Sequence, residues 1–385
     1  MPCCWRRLFT DASIIKAVAL ILDRPPSSDP EPVVHALDMA LIMAGAPGEG
    51  RRAAIERLLA ALDDGENGAG DAAGDAAGDG SRDDALPPAP PAAKRLKLDH
   101  STMPPPPPDD DRVRRPVPRH DCMSLDAFQR HLDGANTPVV IAGALAHWPA
   151  LGPQRAWASP AYLLSRTHGG RRLVPVELGR AYTDPAWRQA IIPFRTFLST
   201  HILAAGCANS ATTGYLAQHN LFSQIPALRD DIAIPDYCYA APPPRPAAAG
   251  GQTEAPRLHE PAINAWFGPR GTVSPLHTDP HANILAQVVG SKYVRLYAPD
   301  QTARVFPRGV DPDTAVDMAN TSRAEVEAAD GCGGEGLGAD EKREWARACY
   351  VDTVLRPGEA LYIPTGWWHY VRSLEVSFSV SFWWD

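Results

Sequence analysis

The stretch Ser274-Pro-Leu-His277-Thr-Asp279-Pro-His281-Ala-Asn283-Ile-Leu-Ala-Gln-Val-Val-Gly290-Ser-Lys292 decides how this chain folds. Its apolar run over 282–289 ends on a Gly-Ser turn and reads as a buried strand. Just before that run stands a His-x-Asp pair, His277 and Asp279. Side chains two apart on a strand project to the same face, so the pair can reach one ion together. His369, in Gly366-Trp-Trp-His-Tyr near the C-terminal end, supplies a second imidazole from a distant strand. Two imidazoles and one carboxylate on one side of a metal leave open positions, which suits non-haem Fe(II).

Outward from this stretch the pattern remains that of short strands. Residues 262–267, 293–297, 360–363, 370–372 and 376–383 are strand-like. The last alternates strictly, with Val376, Phe378, Val380 and Phe382 on one face and Ser377, Ser379 and Ser381 on the other. Earlier, Leu125, Phe128 and Leu132 have helical spacing, 138–141 is a buried strand, and 172–178 is strand-like. Ser159 is placed to cap a helix over 160–166 with Pro160 at its first position. Many short strands following helices predict a mainly β domain, a double-sheet jelly roll (double-stranded β-helix) with flanking helices over 119–385. Residues 242–256 and 331–338 read as surface insertions.

The rest of the chain is different. Forty prolines and thirty glycines among 385 residues are too many for a chain compact throughout. Apolar positions at helical spacing over 11–23 and 32–63 predict a helical segment within 1–62, either an interaction module or a cap on the main domain. From residue 63 to 118 the composition turns to Gly-Asp-Ala-Ala repeats and two proline runs, which predicts a disordered linker. Inside it lies Lys94-Arg95-Leu96-Lys97, which resembles the nuclear-localisation signal of the Myc transcription factor. That likeness implies an import receptor as partner and a nuclear location. The net charge of −8 argues against a direct nucleic-acid site. No apolar stretch is long enough to cross a bilayer. Seven scattered cysteines show neither finger spacing nor a disulfide framework.

Residues 271–279, Gly290-Ser-Lys292-Tyr, Ile363-Pro-Thr-Gly-Trp-Trp-His369 and the closing Ser-Phe-Ser-Val-Ser-Phe-Trp-Trp together resemble the JmjC-domain Fe(II)/2-oxoglutarate oxygenases. Within them the likeness is to the subgroup of lysine-specific demethylase eight or arginyl hydroxylase, JmjC-domain-containing protein five. The resemblance covers about residues 120–385. It implies Fe(II) on His277, Asp279 and His369, with 2-oxoglutarate and O2 as cosubstrates. Lys292 would meet the far carboxylate of 2-oxoglutarate, since a lysine inside a barrel is costly without an anionic partner. Ser274, Asn283 and Tyr215 would hydrogen-bond the same molecule. Pro280 disrupts the alternation after Asp279, so His281 is placed outside the metal shell. His219 is read as a structural neighbour.

For the substrate side chain the resemblance points to Trp187, Trp266 and Trp383 with Glu177. A carboxylate between aromatic walls complements a guanidinium or a methylated ammonium. The implied reaction is hydroxylation of an arginine in a protein, or demethylation of methyl-lysine in histone tails, with a role in chromatin and transcription. Two other readings compete: a non-catalytic metal-binding scaffold in a chromatin complex, with partners on 1–62, and a zinc-bearing jelly-roll isomerase. Retention of all three ligands and Lys292 counts against the scaffold, and the Ser274/Asn283/Lys292 set has no purpose in an isomerase.

Overall fold

In a computed structural model of the protein the described residues are 2–23, 25, 28–70 (backbone only over 63–70), 113–184, 186–204, 213–244, 255–310, 316–327 and 336–385. Their strands form two sheets. The strands are β1 (Arg119–Asp121), β2 (Val139–Ala142), β3 (Leu173–Leu178), β4 (Arg188–Pro193), β5 (Gly214–His219), β6 (Ala262–Gly268) and β7 (Val273–His277). Then follow β8 (Ala282–Val289), β9 (Lys292–Tyr297), β10 (Tyr350–Leu355), β11 (Ala360–Ile363), β12 (Trp368–Ser373) and β13 (Ser377–Trp384). The major sheet has the order β1-β2-β11-β8-β13-β6-β5-β3-β4, and the minor sheet β10-β9-β12-β7. From β6 onward the chain passes back and forth between the sheets, which is how a jelly roll closes and how distant residues come to face one interior. The expected mainly β double-stranded architecture is therefore the observed one.

The sheet order explains the sequence pattern of β13. Flanked by β6 and β8, it is buried on both faces. Phe378, Val380 and Phe382 join the large core under the helices, where Phe378 stacks on Phe267 at 4.5 Å. The serine face is buried as well. Gln287 donates to Ser377 at 2.9 Å, Ser379 donates to Gln287 at 2.8 Å, and Ser381 accepts from the Trp266 indole at 2.9 Å. Buried hydroxyls thus find the partners that burial requires. A second apolar cluster, including Leu285, Val294, Leu296, Leu361 and Ile363, fills the end of the barrel between the sheets.

Helices cover the outer face of the major sheet. The first in this domain, over Leu125–Asp133, starts at Ser124, whose hydroxyl accepts from the Ala127 amide. Ser159 caps a short helix over Pro160–Ser165 in the same way, a contribution of about 1 kcal/mol.

Several boundaries differ from the sequence reading. Strands β4, β5 and β10 carry no strong alternation and have no counterpart in the sequence reading. Asp279 lies beyond the end of β7, so the His-x-Asp pair does not share a strand. The chain turns there because Thr278 donates to the Asn320 carbonyl and Pro280 cannot extend the ladder. The linker expected over 63–118 is shorter at both ends, since the helix beginning at Arg51 runs on to Gly70 and the chain rejoins the barrel before residue 118. The amides of Arg114 and Arg115 donate to the Asp352 carboxylate, the Val117 amide donates to the Asp352 carbonyl, and Val117 is buried. The basic cluster Lys94, Arg95 and Lys97 lies outside the described residues, as does most of the insertions at 242–256 and 331–338.

The N-terminal segment forms α1 (Cys3–Asp23), α2 (Glu31–Met39) continuing into a wider turn over Ala40–Ala44, and α3 (Arg51–Gly70). Ala17, Val33, Leu37, Ile55 and Leu59 make its own small core. It also packs on the barrel domain: Asp38 pairs with Arg172 at 2.8 Å, Asp29 with Arg171 at 2.8 Å, and Glu31 with Arg195 at 2.5 Å. Among the described residues no helix is long and apolar enough to cross a membrane.

Candidate active site

His277 ends β7 and His369 stands second on β12, its antiparallel partner, with the two residues in register. Strand pairing thus sets their rings 4.2 Å apart between centroids. Asp279, carried round by the turn after β7, places its carboxylate 3.8 Å from His277 Nε2 and 3.4 Å from His369 Nε2. One ligand atom from each residue lies within 4.8 Å of the others.

The tautomers follow from the partners. His277 Nδ1 lies 2.7 Å from the Pro275 carbonyl and His369 Nδ1 lies 3.0 Å from the Trp367 carbonyl. A carbonyl only accepts, so each Nδ1 carries the proton and each Nε2 presents a lone pair to the common point. Burial, then the neighbouring His369, pushes the His277 pKa down to about 4, so that ring is neutral at physiological pH. Burial alone would raise the Asp279 carboxyl, but its close contact with His369 and then the nearness of His277 hold it below its ordinary value. Two imidazoles whose Nε2 atoms face inward and one carboxylate fit a divalent cation with open coordination positions.

A pocket opens from these ligands, and Tyr215, Trp266, Ser274, Asn283, Lys292 and Ser381 line it with them. Lys292 opens β9 directly after the Gly290–Ser291 turn and is 1 % exposed. Gly290 turns there with φ of +64°, and a Cβ on it would meet the Val376 carbonyl oxygen at 2.0 Å, so only glycine brings Lys292 inside. Its ammonium donates to the Tyr215 hydroxyl at 3.2 Å, and among the described residues no carboxylate pairs with it. Burial pushes its pKa down to about 7. The buried amide oxygen of Asn283 has no hydrogen-bond partner. An uncompensated ammonium, an orphaned amide and the Tyr215 hydroxyl converge on a space whose other end is the metal triad. Such a set fits a dicarboxylate that chelates the metal at one end.

The remaining candidates are distributed beside this cavity. Glu177 on β3 is the register partner of Tyr215 on β5. Burial raises the Glu177 carboxyl, and the nearby Trp187 indole opposes that rise, although the indole nitrogen has no hydrogen bond of good geometry. Trp266 lines the cavity itself. Trp383 is in register with Asn283, stacks on His281 at 5.9 Å and keeps a buried indole nitrogen without a partner. Glu177, Trp187 and Trp383 are not on the cavity wall. His281 turns to Asp385 at 2.9 Å, and His219 bonds Gln224 at 2.6 Å.

One further group was not singled out by the sequence. Tyr182, in the loop between β3 and β4, hydrogen-bonds Thr321 at 3.3 Å and is close enough to feel the charges of Asp279 and Glu177. It sits between the metal corner and the acidic residue. Nothing in its local sequence marks it.

With this geometry in place, the comparisons with known proteins are informative. The cupin-like domain family matches residues 125–385. The chain is 37% identical over 381 residues to Lysine-specific demethylase 8 of Danio rerio, spanning 99% of this chain and 81% of that protein. It is 42% identical over 269 residues to the Xenopus tropicalis protein of the same name, and 39% identical over 269 residues to Jumonji C domain-containing protein 5 of Drosophila melanogaster. Those two alignments span 70% of this chain and 53% and 60% of the relatives' own lengths. The chain belongs to the cupin-like JmjC family of 2-oxoglutarate-dependent dioxygenases.

Proposed function

We propose that the protein is an Fe(II)- and 2-oxoglutarate-dependent protein oxygenase that hydroxylates an arginine side chain, the alternative substrate of the same pocket being methyl-lysine in a histone tail. The observation that carries the oxygenase reading is Lys292, a buried ammonium without an anion at the closed end of the cavity that begins at His277, Asp279 and His369. In this reading the triad holds Fe(II), and Lys292, Tyr215, Ser274 and Asn283 hold the cosubstrate. Once loaded, the centre would supply oxidation by O2, one oxygen atom going to succinate as 2-oxoglutarate loses carbon dioxide and the other into a substrate C–H bond.

The chain's own residues do the placing. Lys292 neutralises the far carboxylate and fixes the depth at which the molecule stops, while the Asn283 and Tyr215 groups set its rotation. The carbonyls of Pro275 and Trp367 keep both imidazoles as neutral Nε2 donors. On the substrate side Glu177 supports arginine. Its carboxyl is costly to ionise while buried, and a guanidinium would repay that cost with paired N–H donors. A trimethylated ammonium has no N–H to give and needs only aromatic faces. The relatives named as lysine-specific demethylases support the second substrate. Hydroxylation at an arginine methylene yields a stable product, and hydroxylation at an N-methyl group releases formaldehyde.

The deciding experiment incubates the full chain with Fe(II), 2-oxoglutarate and arginine-containing or methyl-lysine peptides, with His277→Ala as control. Gain of one oxygen supports the arginine reading and loss of a methyl the lysine reading. Bound Fe(II) and 2-oxoglutarate with no succinate formed on any peptide would turn the assignment towards the scaffold. We further infer a nuclear location, supported by the Lys94, Arg95, Lys97 cluster read by an import receptor and by relatives named lysine-specific demethylases. Nuclear exclusion of a fluorescent fusion bearing alanines at those three positions, against an intact control, tests it.

A further inference from the structure

The most deeply buried ion pair among the described residues, Asp38 with Arg172, belongs neither to the triad nor to the pocket lining, and the reaction does not explain it. Asp38, the second-to-last residue of α2, is 0 % exposed. Its carboxylate accepts from Arg172 Nε at 3.0 Å and Nη2 at 2.8 Å, from the Leu173 amide at 2.7 Å and from the Gln224 side chain at 2.9 Å. Burying a lone aspartate on a helix costs several kcal/mol unless every lone pair is answered. Here every donor that answers it belongs to the barrel domain, so the sequence holds this charge for the junction and not for the helix.

The donors sit at two particular points. Arg172 and Leu173 are where β3 begins, and four residues along that strand is Glu177. Gln224 ends the helical turn over Leu221–Gln224 that follows β5. It also donates to the Leu173 carbonyl at 2.8 Å, and its other amide atom meets His219 Nε2 at 2.6 Å, at the end of β5. Arg172 Nη2 donates to the Gln224 carbonyl at 2.7 Å, closing the network. Strands β3 and β5 meet directly only through the pairs Glu177–Tyr215 and Leu178–Gly214, and the β5–β6 register is irregular between Leu216 and His219. The ladder joining these two strands is therefore short, and their other ends are tied through Asp38 and Gln224.

We propose that Asp38 is a positioning residue: through Arg172, Leu173 and Gln224 the N-terminal helices hold β3 and β5 at the spacing that sets Glu177 beside Tyr215 in the candidate site. The role given to those two side chains rests on the oxygenase reading above, whereas the tie between the helices and the strands does not. The metal ligands lie on β7, its following turn and β12, in or next to the minor sheet, which this network does not touch. The clamp thus acts on the cosubstrate and substrate wall and leaves the metal triad alone.

The test uses the full chain with three substitutions. Asp38→Asn removes the charge and weakens the acceptors. Asp38→Asn with Arg172→Gln also removes the stranded guanidinium. Gln224→Met cuts the links to His219, to the Leu173 carbonyl and to Asp38, and leaves the Asp38–Arg172 pair in place. Hydrogen exchange of peptides covering 173–178 and 214–219 is read beside calorimetric affinities for Mn(II) and for 2-oxoglutarate. Asp38→Asn is expected to speed exchange in both strands and weaken 2-oxoglutarate roughly 5- to 30-fold, with the Mn(II) affinity unchanged. The double variant recovers part of the protection, and Gln224→Met loosens 214–219 more than 173–178, where the Asp38 bonds to Arg172 and the Leu173 amide remain. Unchanged exchange in β3 and β5 when Asp38 is neutralised overturns the proposal. So does a loss of Mn(II) affinity in step with everything else, which would mean general destabilisation. If the wild-type chain binds no 2-oxoglutarate the oxygenase reading fails, and the exchange data still decide the clamp.

Discussion

Replacing Lys292 by methionine separates the energetic cost of the candidate site from its use. Its pKa falls from an ordinary 10.5 to about 7 because burial strips water from the ammonium. At about 1.4 kcal/mol per pH unit, that is on the order of 5 kcal/mol against holding the charged form in the ligand-free fold. The sign follows from proton counting. Between pH 7 and 10.5 the unfolded chain binds more protons at this lysine, so ligand-free stability rises with pH across that window and is lowest at and below pH 7. The Lys292→Met protein lacks this dependence. In ligand-free urea titrations it is expected to be more stable than wild type at pH 7, with the gap narrowing by roughly 2 to 3 kcal/mol on going to pH 9. Other titrating groups cancel in the difference. 2-Oxoglutarate should invert the ranking, because its carboxylate repays the buried charge only where the ammonium remains. The variant is expected to bind it about 30- to 1,000-fold more weakly, a loss of about 2 to 4 kcal/mol. A methionine variant that is less stable than wild type without ligand, or that shares its pH dependence, would refute the reasoning.

Other outcomes follow from the same geometry. The His277 ring, held neutral by burial down to about pH 4, should cost the metal-free fold stability as pH falls from 6.5 towards 4. Thermal melts of metal-free His277→Ala protein should show a flatter acid limb than wild type. Glu177→Gln removes the charge complementary to a guanidinium, so the KM for an arginine peptide should rise about 10- to 100-fold with 2-oxoglutarate affinity unchanged, as read in a succinate assay. Gly290→Ala would drive a Cβ to 2.0 Å from the Val376 carbonyl, and a denaturation midpoint should report a loss of more than about 2 kcal/mol.

What could be read in the sequence was what repeats or recurs at fixed spacing. The His277/Asp279 pair, the distant His369 and the alternation of β13 carry their geometry in one dimension, because strand period and antiparallel pairing convert spacing into shared faces. The elements that escaped have no such signature. β5 is six residues of mixed character, and Tyr215 was reached only through family likeness. Tyr182 owes its place to a loop whose course depends on contacts with Thr321, 139 residues away. Asp38 looked like one acidic position in an amphipathic helix, and only the fold shows it wholly enclosed by β3 and the turn after β5. Long-range polar contacts of this kind leave no periodic trace.

The serine face of β13 bears on what this barrel can hold. Ser377, Ser379 and Ser381 occupy the interior side of a central strand where large apolar residues would ordinarily fill the space. At Ser381 the hollow beside the metal ligands is bounded by a hydroxymethyl group where a larger side chain would fill it. Ser381 has two duties there, since it borders the hollow and anchors the Trp266 indole. A bulkier residue at that one position would shrink the chamber and release the ring lining it in a single step, so volume and aromatic orientation cannot be tuned separately along this strand.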